Sequence, residues 1–184
     1  YFSLTKDNID LFIDSELSKV HTLDCSVEIS NERIINKISS MPLYQLTYSR
    51  CTVENYTFLP QTITHLKLYS VVITEEILIK LLQHLTNLKS LELISIINQK
   101  SYSDLTFSNI VQLKIDHQLK SYLKWFPEIH YLEIFNYLDS DIIENPQIFT
   151  NLAILVCYSH IIKVSLLSNQ PNLKLEGDLI LHRY

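Results

Sequence analysis

The sequence predicts an α/β solenoid, with a curved parallel sheet on its concave face and helices and irregular turns on its convex face. Three observations carry that expectation. A Leu-x-x-Leu-x-Leu pattern recurs seven times with leucine always at its centre. The 184 residues include one glycine, which removes whole enzyme classes. The chain is 47% hydrophobic and 19% charged, so it can bury a core along its length.

The seven segments run Val20-x-x-Leu23-x-Cys25, Leu43-x-x-Leu46-x-Tyr48, Ile63-x-x-Leu66-x-Leu68, Leu88-x-x-Leu91-x-Leu93, Ile110-x-x-Leu113-x-Ile115, Ile129-x-x-Leu132-x-Ile134 and Leu152-x-x-Leu155-x-Cys157. Successive central leucines are separated by 23, 20, 25, 22, 19 and 23 residues. Each segment alternates as a strand does, and none can bury its own apolar face. Stacking them as parallel strands about 4.8 Å apart solves that problem for all of them together.

The segments resemble the leucine-rich repeat family, whose unit of about 20–29 residues reads LxxLxLxx(N/C)xL. The resemblance covers roughly residues 18–165 and implies the solenoid fold, with protein ligands in most cases. At the family's Asn/Cys position the chain has Glu28, Cys51, Val71, Ile96, Gln118, Tyr137 and His160, so only Cys51 conforms. The last apolar position is met by Val53, Ile73 and Ile162. Without an Asn ladder, the apolar interior must hold the coil, and an irregular solenoid is expected. The run LPQTITHLKL at 59–68 is also similar to FNIP repeats of amoebal proteins. Residues 1–184 then form a single leucine-rich-repeat domain. Its parts are an N-terminal capping segment over 1–19, about seven units over 20–165, and a C-terminal cap or degenerate repeat over 166–184.

The elements follow in order. Residues 3–13 read as a capping helix. Residues 30–40 read as a helix capped by Ser30, with Ile34, Ile35 and Ile38 on one face. The 51–60 and 98–108 connections are too short or too polar for more than a turn or a 3₁₀ segment. Thr74 caps the strongest helical run, with Glu75 and Glu76 in its first turn and Ile77, Leu78, Leu81, Leu82 and Leu85 along one side. Residues 118–126 give a shorter helical turn, stopped before Pro127.

One glycine, Gly177, cannot build a phosphate loop, a dinucleotide fingerprint or a glycine-flanked serine nucleophile. A net charge of −5 argues against a chain-wide nucleic-acid surface. No apolar run approaches the roughly 18 residues of a membrane helix, and no signal peptide opens the chain. Tyr1 in place of Met leads us to expect a fragment or a processed form. Three cysteines are too few for a disulfide framework; Cys25, Cys51 and Cys157 read as small buried hydrophobes, which favours a reducing, cytoplasmic compartment. The seven histidines form no zinc motif. No cofactor, metal or reaction is expected.

The residues that face outward between the core positions carry the functional reading. The position between the second and third core residues is Asp24, Thr47, Lys67, Glu92, Lys114, Glu133 and Val156, in which Lys67 to Glu133 alternate in sign as a cross-strand charge ladder. The next outward position adds Tyr69, Ile94, Asp116, Phe135 and Tyr158, and Tyr131 and Ile154 join them. Large apolar residues projecting outward are costly unless covered, and aromatic anchors are enriched at binding hot spots. Tyr69, Ile94, Asp116, Tyr131, Phe135, Ile154 and Tyr158 are therefore expected to contact a protein partner, in a module without catalysis. The alternatives are the recognition part of a ubiquitin-ligase adaptor, or of a bacterial effector in a host cytosol, and more remotely a small hydrolase using His and Asp on the concave rim.

Overall fold

The computed structural model describes residues 1–96, 105–135, 151–157, 162–163, 174–176 and 181–182. The protein is an α/β protein of parallel strands, divided into two compact units, Tyr1–Tyr102 and Ser103–Tyr184.

In the first unit, strands β1 (Phe2–Leu4), β2 (Thr22–Cys25), β3 (Gln45–Ser49), β4 (His65–Tyr69) and β5 (Ser90–Ile94) pair in sequence order, all parallel. The register aligns the central leucines: Leu23 lies opposite Leu46, Leu46 opposite Leu66, and Leu66 opposite Leu91. All four are 0–2% exposed. The third core position aligns in the same way as Leu4, Cys25, Tyr48, Leu68 and Leu93, each buried.

The second unit repeats the arrangement with β6 (Gln112–Asp116), β7 (Tyr131–Phe135), β8 (Ile154–Cys157) and β10 (Lys174–Glu176), while β9 (Ile162–Lys163) pairs with β11 (Leu181–His182). Leu113, Leu132, Leu155 and Leu175 are in register, and the first three are buried. The side chain of Ile162 and residues Tyr137 and His160 lie outside the described ones.

Backbone hydrogen bonds mark the same period. Two residues before five of the central leucines, one carbonyl accepts from two successive N–H groups at the start of the following strand. His21 O takes Tyr44 N and Gln45 N, Tyr44 O takes Thr64 N and His65 N, and Thr64 O takes Lys89 N and Ser90 N. In the second unit Val111 O takes His130 N and Tyr131 N, and His130 O takes Ala153 N and Ile154 N. Both lone pairs of each carbonyl are used, so each strand begins at a defined height on its neighbour.

The returns differ from one another. Between β1 and β2 runs α1 (Ile9–Asp14), which buries Phe12. Between β2 and β3 runs α2 (Glu32–Ser39), which buries Ile34 and Ile38 and leaves Ile35 half-buried. Its cap is Asn31, whose side chain accepts from Arg33 N at 2.8 Å, one residue beyond the expected Ser30. Lys37 of α2 donates to the carbonyls of Ile13 and Ser15 at the C-terminal end of α1, where a cation complements the helix dipole. Between β4 and β5 runs α3 (Glu75–His84), with Thr74 accepting from Ile77 N at 3.3 Å and Leu78, Leu81 and Leu82 buried. Between β3 and β4 there is no helix; turns place Phe58, Leu59 and Ile63 in the core, and Thr52 bridges to Val72. Val53 and Ile73, the expected last apolar positions, are buried. In the second unit a 3₁₀ segment, His117–Trp125, links β6 to β7, with a break in helical geometry at Leu119.

The N-terminus corrects the expected capping helix over 3–13. Residues Phe2–Leu4 are a strand on the edge of β2, with a 3₁₀ turn at Lys6–Asn8 before the short α1. Asn8 fixes the bend: its Nδ2 donates to Ser3 O at 2.8 Å and its Oδ1 accepts from Thr5 N at 2.8 Å. The edge strand extends both apolar columns by one residue, Phe2 and Leu4.

A chain with so little glycine must turn on other residues. Arg50, Ser70 and Ser95 take positive φ of 55°, 53° and 52°, each four positions after a central leucine and immediately after its strand. A left-handed conformation costs a residue with a Cβ about 1–2 kcal/mol, part of which glycine returns through its freer unfolded chain. Ser70→Gly is expected to raise stability by about 0.5–1 kcal/mol, read as a higher urea midpoint. A lower midpoint would show that the Ser70 side chain does more for the fold than its backbone angle costs.

Candidate functional site

Alternation along each strand sends one set of side chains into the core and the other onto the opposite face of the sheet. In the first unit that outward face is half-open. Asp24, Thr47, Lys67 and Glu92 are partly exposed, and Lys67 Nζ sits 2.8 Å from Glu92 Oε1 across the β4–β5 register. Such a half-exposed pair contributes a few tenths of a kcal/mol and mainly neutralises the face. The next row pairs Ser49 with Tyr69 and Tyr69 with Ile94. Tyr69 is 39% exposed and Ile94 is half-buried beside it.

The second unit covers the equivalent face more completely. Lys114 Nζ lies 2.8 Å from Glu133 Oε2, and the Tyr131 hydroxyl donates to the same oxygen at 2.8 Å. Glu133, Asp116 and Val156 are each only 5–6% exposed. Asp116 thus occupies the expected outward position opposite Phe135 but is buried there. Tyr131 lies opposite Ile154, as the repeat frame requires, and these two and Phe135 are half-buried. Tyr158 lies outside the described residues.

Tyr44 was missed. It stands two residues before Leu46, is 47% exposed, stacks on His21 with ring centroids 5.8 Å apart and meets His65 edge-on at 6.5 Å. Its signal was readable: the position two before the central leucine forms a column of its own, and His21 and Tyr44 are neighbours in it. The histidines here have single partners: His21 Nδ1 meets Pro42 O at 2.9 Å, His65 Nδ1 the Thr64 hydroxyl at 2.8 Å, and His84 Nε2 the Leu59 carbonyl at 2.9 Å. Among the described residues no three His, Cys, Asp or Glu side chains converge as a metal centre requires.

Cys25 is buried in the core and Cys51 is half-buried in its turn. Burial pushes the Cys25 thiol from an ordinary 9.0 up to about 12, and Cys51 up to about 11. Because the thiolate is the reactive form, alkylation of Cys25 at pH 8 is expected to be roughly a thousandfold slower in the native chain than in urea, by peptide mass mapping. The sign for stability follows from the raised folded value. The contribution is whole below about pH 9 and is lost as the pH climbs toward 12, because the unfolded chain ionises first.

Compared with models of known families and with curated proteins, the chain matches none. Among the described residues no helix is long and apolar enough to cross a membrane.

Proposed function

We propose that the chain is a leucine-rich-repeat-type recognition module that binds a protein partner through the outward face of its parallel strands, without catalysis. The observation that carries this reading is Tyr69, 39% exposed beside Ile94 on a face where Lys67 and Glu92 neutralise one another. A surface aromatic on a rigid strand, ringed by neutralised polar groups, is what a protein hot spot needs. A sheet is stiff, so little entropy is lost when a partner docks on it. Tyr44 extends the same reading toward the start of the strands, and Tyr131, Ile154 and Phe135 supply a second aromatic and apolar group in the other unit.

The test compares faces. Tyr69→Asp and Phe135→Asp should each weaken capture of a partner at least about thirtyfold, the scale of a hot-spot residue. Leu11→Asp, on the 62%-exposed surface of α1, should leave capture unchanged. Circular dichroism must stay unchanged in all three. Equal capture by Tyr69→Asp and the parent chain would rule out the outward face.

A further inference from the structure

One edge of β1 lies against β2, and the other is closed by a side chain. Leu4 O accepts from Ser26 N at 3.0 Å, so the backbone polar groups of Leu4 face β2. These groups alternate in direction along a strand, which turns those of Ser3 and Thr5 to the outer edge. Thr5 continues the extended chain, with φ of −124° and ψ of 170°.

In a parallel ladder a neighbouring residue gives its N–H to one carbonyl and its C=O to the N–H two residues further on. Ser3 O and Thr5 N are such a pair, and Asn8 takes both. Its Nδ2 donates to Ser3 O at 2.8 Å, and its Oδ1 accepts from Thr5 N at 2.8 Å. One carboxamide therefore stands where the peptide group of a further strand would stand. Its partners fix its orientation, and aspartate could not replace it, having no donor for Ser3 O. The bond to Thr5 N also caps the 3₁₀ turn at Lys6–Asn8. The bond to Ser3 O does nothing for that turn; it satisfies a group of the sheet edge.

An unpaired edge strand is a template for another chain. Here it would carry Phe2, half-buried, and Tyr1, 75% exposed. The edge is also complementary to itself. About a two-fold axis, Ser3 of two copies would lie opposite each other, antiparallel, and exchange N–H and C=O. Thr5 N of each copy would then reach Tyr1 O of the other. Those bonds need Ser3 O and Thr5 N, the two groups that Asn8 holds.

We propose that the Asn8 carboxamide is a plug on the sheet edge: it holds the ladder position that β1 of a second copy would otherwise take, and so keeps two chains from pairing through β1. This device is independent of the outward sheet face and of the protein partner proposed for it.

The experiment is sedimentation velocity on the full chain, on Asn8→Ala and on the double variant N8A/S3P, from roughly 10 µM to 1 mM, with amide hydrogen exchange on the same samples. Asn8→Ala should self-associate at least about tenfold more tightly than the parent, because two hydrogen-bonding groups per copy are released. The Thr5 amide, protected at every concentration in the parent, should exchange quickly in dilute Asn8→Ala and slow as the concentration rises. The Ser26 amide reports through Leu4 O whether β1 stays on β2, and should remain protected. Proline at position 3 removes a donor that β2 does not use, so N8A/S3P should return to the parent's association. Association of Asn8→Ala no tighter than the parent's would overturn the proposal, as would tight association that persists in the double variant. Loss of Ser26 protection in Asn8→Ala, with or without the rest of the fold, would also overturn it, since Asn8 would then be a clip for the strand and not a plug.

Discussion

Trp125→Ala is expected to lower stability by about 3–5 kcal/mol, the cost of emptying a large buried aromatic site. Trp125 is the only tryptophan of the chain and is 1% exposed. It ends the 3₁₀ return between β6 and β7 and sits at the centre of an aromatic cluster. Tyr122 meets it edge-on with centroids 4.4 Å apart, Phe107 lies at 6.0 Å and Phe126 at 6.4 Å, and Phe107 and Phe126 approach each other at 6.0 Å. The backbone joins in, since Phe107 N donates to Trp125 O at 2.6 Å. Edge-to-face pairs of this kind add about 0.5–1.5 kcal/mol each beyond the area they bury. The short return makes a poor helix by itself, so this cluster is what holds it on the strands. Urea denaturation followed by circular dichroism gives the loss, and Trp125→Phe should recover most of it. A loss under about 1 kcal/mol would mean that the surrounding rings collapse into the space, and that the cluster is not the clamp described.

The strand register was legible because it rests on a demand that does not vary along the chain. Each strand has two inward positions that must be apolar, and the central one has neighbours above and below, so leucine at that position reads directly as Leu23, Leu46, Leu66 and Leu91 in register. The charge ladder was legible in part for the same reason: residues at one height on adjacent parallel strands meet, as Lys67 meets Glu92 and Lys114 meets Glu133. Phe2–Leu4 was not legible as a strand, because three residues carry too little period to separate strand from helix, and only the open edge of β2 decides. The left-handed Arg50, Ser70 and Ser95 were hidden by the shortage of glycine, the residue that usually announces such a turn. Burial of Asp116, Glu133 and Val156 on the outward face depends on tertiary packing, about which a strand's alternation is silent. Tyr48 gave the least warning. Its position calls for an apolar residue, and an aromatic there satisfies the pattern while its hydroxyl remains unexplained.

Leu46→Ala tests the packing on which every other statement depends, with an expected loss of about 2–5 kcal/mol. Leu46 is 0% exposed on β3, the middle strand of the first unit, with Leu23 on one side and Leu66 on the other at the same height. Truncating it opens a void between two leucines whose own positions are fixed by the paired N–H groups accepted at His21 O and Tyr44 O. Those bonds keep the strands from sliding together to fill the gap, which places the expected loss in the upper part of that range. The neighbouring Thr47→Ala, on the half-open outward face, should change stability by less than about 0.5 kcal/mol. In a stack each strand leans only on its neighbours, so damage at Leu46 should spread unevenly. Hydrogen exchange should quicken first at the amides of β2, β3 and β4, while the urea slope stays unchanged as long as the first unit still unfolds as one. Equal losses for Leu46→Ala and Thr47→Ala would mean that the leucine column is not the core.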